Sequence, residues 1–386
     1  MTPRRVIPNA VPFLGGNEWK YVKECLDTNW VSSAGGFVDR FEREMAAYVG
    51  VPHAVATVNG SAALHVALRA AGVGRDDEVV LPTLTFIATA GAVAHCGAHP
   101  VFLDSEPVSW GLDPRRLEEF LDGECELREG RVTDRATGRR VSAVLAVHLY
   151  GHPCDLDPLL EVCRRWRLPL VEDATESLGA LYRGRRAGCD GLVGCLSFNG
   201  NKIITTGGGG MVLTRDDGLA ARVRALTTQA RSDPLEWVHD EVGFNYRLTN
   251  IQAALGAAQL EQLEGFVESK RQTAEHYRAA LGALDGVTVF REAAWARSNY
   301  WMPAVLLEPR RCPDVRALIR ALNADGIQAR PVWHPLHRQP PFSGARTGPT
   351  AVADHLWGRG VLLPCSVGIT AEERQAVIEA LTARLV

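Results

Sequence analysis

The feature that most constrains the fold is a regular alternation of short apolar strands and helices between residues 54 and 214. Strands are predicted at 54–58, 78–82, 100–104, 141–148, 168–173, 192–198 and 210–214, and helical patterns separate most of them. Such alternation favours an α/β fold in which a mostly parallel, doubly wound sheet carries helices on both faces. Ligands of these sheets bind at the carboxyl ends of the strands, so residues that follow the strands are the site candidates.

Outside this region the pattern differs. A helix is predicted over 16–29 with Trp19, Val22 and Leu26 on one stripe, and a charged insertion at 123–140 predicts a surface hairpin. A long bridging helix over 251–281 and then a small α+β unit are expected after residue 250. We therefore predict a large domain, residues 1–252, with a seven-stranded sheet, and a smaller C-terminal α+β domain, residues 253–386.

The first strand leads through Asn59-Gly60 into a helix that begins at Ser61 and Ala62. Free N–H groups and the positive end of the helix dipole make such a helix start an anion site, and the Ser61 hydroxyl adds a donor. Alternatively, Ser61 only caps the helix. The turn has neither the G-x-x-x-x-G-K nor the G-x-G-x-x-G pattern, which disfavours ATP and dinucleotides as ligands.

Lys202 stands in a polar, glycine-containing turn after the strand at 192–198, and four glycines follow it. The chain has only four lysines among its 42 lysine and arginine residues. Arginine stays charged, whereas a lysine amine can lose its proton and attack a carbonyl carbon to form a Schiff base. Lys202 is therefore either a reactive amine or an ordinary surface charge.

Two further candidates follow strands. Asp173 ends an apolar run, so its carboxylate is expected at the carboxyl edge of the sheet, where it could pair with a cation such as a protonated pyridine ring; alternatively it caps a helix. Phe86 lies just past the strand at 78–82 and could stack on a planar ring, although a single phenylalanine is more often part of the core.

The bulk composition indicates an ordinary soluble enzyme. A net charge of −3 and a hydrophobic content of 46% suggest neither a nucleic-acid nor a membrane partner. The N-terminus lacks a signal-peptide core, and no apolar run approaches the ~18 residues of a membrane span. Nine scattered cysteines without a C-x-x-C pair suit reduced thiols in the cytoplasm, and no histidine pair has a metal-binding pattern, so no metal is expected.

Six motifs, taken in order, resemble the pyridoxal-phosphate-dependent sugar aminotransferases of the DegT/DnrJ/EryC1/StrS family. They are Trp30-Val-Ser-Ser, Asn59-Gly-Ser-Ala-Ala-Leu, Pro82-Thr-Leu-Thr-Phe-Ile-Ala-Thr, Glu172-Asp-Ala-Thr-Glu-Ser-Leu-Gly, Ser197-Phe-Asn-Gly-Asn-Lys with its glycines, and Gly243-Phe-Asn-Tyr-Arg-Leu. The resemblance covers residues 9–385. It implies the fold type I architecture of pyridoxal phosphate enzymes, with pyridoxamine phosphate as the second form of the cofactor.

The resemblance also implies roles for residues around the cofactor ring. Lys202 corresponds to the lysine that forms the Schiff base and later moves the proton, and Asp173 to the partner of the pyridinium nitrogen. Phe86 corresponds to the aromatic residue that stacks on the ring. Glu176 stands where the family usually has glutamine or histidine beside the phenolic oxygen, and its charge is a departure from that pattern.

At the phosphate end, Ser61, Ala62 and Ser197 correspond to the residues that cradle the phosphate group. Asn245 corresponds to the asparagine that reaches the phosphate from the other subunit. The resemblance therefore implies a homodimer with active sites shared between its subunits.

The residues of several motifs are most similar to those of the subgroup that acts in legionaminic-acid-type pathways. That similarity implies L-glutamate as amino donor and a nucleotide-linked 4-keto-6-deoxyhexose, which could be N-acetylated, as acceptor. Substrate contacts are predicted from Trp30, Ser32, Arg247, His334 and His337. Packing among prolines is an equal alternative for the two histidines.

Three other functions compete with an aminotransferase. A sugar dehydratase of the same fold would replace the lysine with histidine, whereas Lys202 is present. A non-catalytic, cofactor-sensing regulator would need a DNA-binding segment, and the chain before residue 16 is too short for one. A dinucleotide-dependent sugar oxidoreductase would need the absent G-x-G-x-x-G motif.

Overall fold

The computed structural model describes residues 6–233 and 235–385. The helices α1 to α12 are, in chain order, Glu18–Asp27, Gly36–Val49, Gly60–Ala70, Ile87–His95, Pro114–Glu124, Leu156–Trp166, Asp217–Thr227, Asn250–Leu260, Leu263–Leu281, Val315–Ala324, Ala351–Arg359 and Ala371–Thr382. The strands β1 to β19 are His53–Thr57, Glu78–Pro82, His99–Leu103, Cys125–Arg128, Arg131–Asp134, Arg140–Val147, Leu170–Asp173, Leu181–Tyr182, Arg185–Arg186, Val193–Ser197, Gly210–Thr214, Arg231–Asp233, Val238–His239, Val287–Val289, Ala296–Arg297, Ala304–Leu307, Arg330–Pro331, Arg346–Thr347 and Gly360–Leu362.

The seven predicted strands form the centre of the large sheet, in the order β1-β11-β10-β7-β6-β2-β3. Neighbours are parallel from β10 to β3, and β11 is antiparallel to both β1 and β10. The mostly parallel, doubly wound α/β sheet is therefore confirmed. Short β18 extends it beyond β3, and the insertion forms the expected hairpin of β4 and β5, which pairs with β6.

Both faces of the sheet are covered, because successive strand residues point to opposite sides. Val79 and Leu81 of β2 pack into the core under α3 and α4. Val80 packs into a second core under α5 and α6. Burial on both faces explains why these strands are continuously apolar in sequence.

The N-terminal helix α1 differs from its prediction. Trp19 and Leu26 are exposed, and the residues that α1 buries are Glu18 and Cys25. The Glu18 carboxylate accepts the N–H of Gly16 at 2.7 Å. It also accepts from the side-chain amides of Gln259 in α8 and of Gln262 just after α8. The side of α1 that carries Glu18 and Cys25 therefore faces inward. Of the predicted stripe, Val22 is partly buried against the core of α2 and α8, whereas Trp19 and Leu26 are on the surface.

The single long helix predicted over 251–281 is wrong. It is interrupted between Leu260 and Leu263, where the side chains of Gln259 and Gln262 donate to Glu18 Oε1 at 2.6 and 2.8 Å. No glycine or proline stands at the break. The structural feature that accompanies it is the pair of hydrogen bonds to Glu18 of α1.

The C-terminal part is the expected α+β unit. Strands β14, β16, β19 and β17 form an antiparallel sheet that shares one core with the end of α9, α10 and α12. The start of α9 packs in the core of α2 and α8, so α9 connects the two parts. The division of the chain at residue 252 stays a prediction. No helix within the described ranges combines the length and the apolar character needed to cross a membrane.

Candidate active site

A cavity of about 290 Å³ opens at the carboxyl edge of the large sheet. The helix starts that follow β1 and β2, the ends of β7 and β10, and two tryptophans from the C-terminal half line it. Six of the residues proposed from the sequence lie on its wall, namely Ser61, Phe86, Asp173, Glu176, Ser197 and Lys202. Residues far apart in the chain are thus collected at the place where ligands of such sheets bind.

At one end of the cavity, α3 presents its N-terminus. The Asn59 side chain is the N-cap, because its Oδ1 accepts the N–H of Ala62 at 2.8 Å. Ser61 is exposed and lines the cavity, so capping does not occupy its hydroxyl. Because Asn59 is the cap, the alternative in which Ser61 only caps the helix is wrong. Its hydroxyl has no hydrogen-bond partner within the described part of the chain and can bind an anion.

Glycines allow the close backbone packing beneath this helix start. A Cβ added to Gly60 would lie 2.7 Å from Ser197 Cβ, and one added to Gly210 would lie 2.5 Å from the Asn59 carbonyl oxygen. The last glycine of the run after Lys202 therefore brings β11 against the turn that carries Ser61. Ser197 is placed next to the same helix start as a result.

Asp173 ends β7 and is almost fully buried. Its Oδ2 accepts the hydroxyl of Thr89 at 2.7 Å, and its Oδ1 accepts the N–H of Thr175 at 3.2 Å. No helix begins at Asp173, so the helix-cap alternative is wrong. Its carboxylate is held by Thr89 and Thr175 on the cavity wall, where it can pair with a cation.

The neighbouring strand residue points the other way and supports this edge of the sheet. Glu172 Oε2 accepts from His148 Nε2 at 2.8 Å, because His148 Nδ1 already accepts the N–H of Cys154. Its two carboxylate oxygens also accept backbone N–H groups of Gly188, Asp190 and Gly191. This buried network fixes the strand that presents Asp173.

The Lys202 side chain is 13% exposed and lies in the cavity wall. Its Nζ is 3.8 Å from Glu176 Oε1 and 4.2 Å from the centroid of the Trp301 ring. Burial lowers the pKa of this amine, while the carboxylates of Glu176 and Asp173 oppose the shift. Because the side chain is largely enclosed in the cavity wall, the surface-charge interpretation is wrong. A lysine amine at such a place can act as a nucleophile or as a proton acceptor.

Glu176 is fully enclosed beside Lys202. Its Oε2 accepts the N–H of Tyr150 at 2.7 Å, and Tyr150 has a φ of +53°. Burial raises the pKa of Glu176 to about 7, against the opposing charge of Lys202. A carboxyl group with this pKa is partly protonated at neutral pH. It can therefore resemble a neutral side chain such as the glutamine or histidine that the resemblance implies at this position.

Phe86 caps the start of α4 and belongs to the cavity wall. Its side chain is 52% exposed, and its ring centroid lies 5.4 Å from that of Trp333. The core interpretation of Phe86 is thus wrong. Its exposed ring face is available to a planar ligand.

Several other candidates lie away from this cavity. Asn245 is exposed, and the exposed Trp30 and Ser32 belong to a loop whose main chain is held by Asn250. The Arg247 guanidinium donates to Glu42 Oε1 at 2.6 Å and is largely buried. Their proposed roles stay predictions, and within one chain Arg247 acts as the partner of Glu42.

The two histidines are also outside the cavity lining. His337 Nδ1 lies 2.7 Å from the Thr83 hydroxyl, and its Nε2 lies 3.7 Å from Asp354 Oδ1. His334 packs edge-on against Trp357. These contacts accord with the packing alternative, and substrate binding by either residue stays a prediction.

Sequence reasoning missed eight polar or aromatic residues of the lining. They are Asn59, Thr85, Thr89, Thr175, Asn199, Asn201, Trp301 and Trp333. The threonines and asparagines lie inside the motifs quoted above, so their position was a usable signal. The two tryptophans come from the C-terminal part, and nothing in the local pattern connects them to Lys202.

The donor set of the cavity fits pyridoxal phosphate. A buried primary amine, a carboxylate for a ring nitrogen, an exposed aromatic face and a helix start for a phosphate surround one position. The cavity is close to the lower limit of ~300 Å³ for small-molecule sites. It therefore suits a single ring, and a larger substrate must extend beyond it.

Comparisons with known proteins agree with this site. The model of the DegT/DnrJ/EryC1/StrS aminotransferase family matches residues 12–382. The chain is 43% identical to GDP-perosamine synthase of Caulobacter vibrioides, covering 98% of each. It is 40% identical to EpsN of Bacillus subtilis (strain 168), whose name includes pyridoxal phosphate-dependent aminotransferase, over 96% of this chain and 93% of that protein.

Solved structures of aminotransferases have the same fold as this chain. The aminotransferase TlmJ from Streptoalloteichus hindustanus superimposes with a TM-score of 0.88 and 29% identity over 98% of each chain. The family match spans both parts of the structure and all six residues brought together in the cavity. The chain therefore belongs to the DegT/DnrJ/EryC1/StrS family of pyridoxal-phosphate-dependent aminotransferases.

Proposed function

We propose that this aminotransferase moves the amino group of L-glutamate to a nucleotide-linked 4-keto-6-deoxyhexose. The observation that carries the proposal is the buried amine of Lys202, whose pKa is lowered, in one cavity with Asp173, Glu176 and Ser61. Transamination needs a nucleophilic amine, a carboxylate for the ring nitrogen, a phosphate anchor and a base.

Bound pyridoxal phosphate supplies an electron-withdrawing ring that accepts the amino group from one substrate and delivers it to the other. Asp173, held by Thr89, would keep the ring nitrogen protonated, and Ser61 with Ser197 would hold the phosphate group. Lys202 Nζ would take up a proton from the substrate carbon and return it, since the amine lies in the cavity wall and burial favours its uncharged form.

Guanosine diphosphate is the nucleotide that we propose. The support is the 43% identity to a GDP-perosamine synthase, whose name gives a GDP-linked amino sugar. Neither of the two relatives described above is named for the legionaminic-acid-type pathway. An N-acetyl group on the sugar remains part of the hypothesis and is tested by including both kinds of acceptor.

A homodimer with shared active sites is proposed for the assembly. Trp19, Leu26, Trp30 and Trp237 are each exposed, and burial of such apolar side chains by a second copy would favour association. Asn245 is exposed and lies outside the cavity lining of its own chain, as a residue serving a second copy would. The cytoplasm stays the predicted location.

The proposal is tested with the purified full chain loaded with pyridoxal phosphate. L-glutamate should bleach the visible absorption band of the cofactor, and a GDP-linked keto sugar should restore it with formation of the amino sugar. Lys202→Ala should lose the band and the transfer, whereas Lys23→Ala, which changes an exposed lysine, should keep both. A Lys202→Ala protein that still turns over glutamate contradicts the proposal.

Dimerisation is tested by complementation. Lys202→Ala and Asn245→Ala are each expected to be inactive, yet a re-equilibrated equal mixture should regain about a quarter of the wild-type sites. Mixed dimers restore activity because one of their two sites has both residues. A mixture as inactive as its components would show that the subunits do not share sites.

A further inference from the structure

Two of the four lysines are exposed on α1, and the other two are largely enclosed. One is Lys202, and the other is Lys270, which is 3% exposed. Lys270 lies on the buried stripe of α9 between Val267 and Ala274, at a position where helical spacing calls for an apolar side chain. A buried lysine without an obvious role is unusual and requires an explanation.

The Lys270 ammonium group is held by main-chain oxygens. Its Nζ donates to the Cys365 carbonyl oxygen at 2.7 Å, to the Trp301 carbonyl oxygen at 3.1 Å and to Cys365 Sγ at 3.5 Å. Among the described residues no carboxylate forms an ion pair with it. Three acceptors match the three donors of an ammonium group, a geometry that a planar guanidinium could not reproduce.

Trp301 connects this group with the cavity. Its ring faces Lys202 Nζ at 4.2 Å, and its Nε1 donates to the carbonyl oxygen of Asn201 at 2.7 Å. Its main-chain N–H donates to Asn299 Oδ1 at 2.7 Å. The indole is therefore fixed on the side of Lys202 by Asn201, and its main chain is fixed by Lys270 and Asn299.

We propose that Lys270 is a positioning residue that holds Trp301 against Lys202 and thereby sets how readily the Lys202 amine reacts. An aromatic face stabilises an ammonium group through its quadrupole, most strongly where water is excluded. The inference deepens the proposed function, because it takes Lys202 to be the reactive amine. The other charged groups that face Lys202 are Glu176 and Asp173.

The test measures the Lys202 amine itself. The full chain, freed of cofactor by dialysis against hydroxylamine, is acetylated with acetic anhydride over a range of pH, and each lysine is quantified by peptide mass spectrometry. Lys270→Met should lower the midpoint of Lys202 acetylation by about 0.5 to 1 pH unit. The exposed Lys20 and Lys23 are internal references whose midpoints should not move.

Two comparisons separate positioning from a general loss of structure. Ser269→Ala removes another tether from α9 to the same segment, the hydrogen bond to the Val367 carbonyl oxygen, and should leave the Lys202 midpoint unchanged. In a Trp301→Leu background, Lys270→Met should have no further effect, because both changes act through the same ring.

Absence of a downward shift, or an equal shift in both backgrounds, overturns the proposal. If Lys270→Met does not fold, Cys365→Ala gives the same test, since Cys365 Sγ donates to the Trp301 carbonyl oxygen at 3.1 Å. Cys365→Ala should lower the midpoint of Lys202 acetylation by less than Lys270→Met does. It should cause no shift in the Trp301→Leu background. Acetylation is measured without substrates, so this result is independent of whether the chain transfers amino groups to sugars.

Discussion

The Glu176→Gln variant should become more stable relative to the wild type as the pH rises from 4.5 to 7. Burial raises the pKa of Glu176 from its ordinary 4.5 to about 7, although the Lys202 charge opposes the rise. This difference of about 2.5 pH units corresponds to about 3 kcal/mol in the free energy of unfolding. Glutamine keeps the size of the side chain and removes the titration.

The sign follows from proton uptake. Below pH 4.5 the carboxyl group is protonated in the folded and the unfolded chain, so it adds no pH dependence. Between pH 4.5 and 7 the folded chain retains a proton that the unfolded chain releases, and a rising pH therefore destabilises the wild type. Well above pH 7 the wild type loses no further stability through this group. The Glu176→Gln variant does not undergo this loss, because glutamine does not titrate.

Urea denaturation of cofactor-free protein at pH 5 and pH 8, followed by circular dichroism, measures this effect. The stability difference between Glu176→Gln and the wild type should grow by about 2 to 3 kcal/mol over that interval. Glu24→Gln, the same change at an exposed position, should show no such growth. A difference that stays constant or shrinks as the pH rises would refute the reasoning.

Three further predictions concern the walls of the cavity. Ser61→Ala should weaken pyridoxal phosphate binding about tenfold without lowering the thermal stability of the cofactor-free chain. Asn59→Ala removes the N-cap and should lose about 1 kcal/mol of folding stability. Equal destabilisation by both variants would show that Ser61 is a capping residue. Thr89→Val removes the hydroxyl that binds Asp173 and should weaken cofactor binding about tenfold in a spectroscopic titration, so an unchanged Kd would contradict that support. Glu172→Ala removes the acceptor of four hydrogen bonds, two of them buried, and should cost at least about 3 kcal/mol in urea denaturation. A loss below about 1 kcal/mol would mean that water replaces the carboxylate.

Much of the sheet and the reactive end of the site followed from local patterns. Continuous apolar runs predicted the seven strands, because strands buried on both faces must be apolar throughout. Asp173 and Phe86 were found as residues that follow strands, and Lys202 as a rare lysine in a turn. Each of these signals lies within a few neighbouring residues, which is why single-chain reasoning could use it.

Long-range contacts account for what the patterns missed. Trp19 and Leu26 had helical spacing, yet α1 turns inward the side that carries Glu18 and Cys25, where Glu18 accepts a hydrogen bond from the Gln259 side chain of α8. Arg247 stood within a family motif, but its guanidinium binds Glu42, more than 200 residues away in sequence. Such pairings depend on which elements become neighbours, and local periodicity contains no information about that.

The sequence by itself determined the class of this protein, because the alternation of strands and helices and the order of six motifs are properties of the chain alone. Only the tertiary structure decided the chemical state of the site. The pKa values of Lys202 and Glu176 depend on burial and on charges that folding brings within a few ångströms. The contacts of Trp301 with Lys202 and Lys270 likewise exist only once the C-terminal part packs against the sheet.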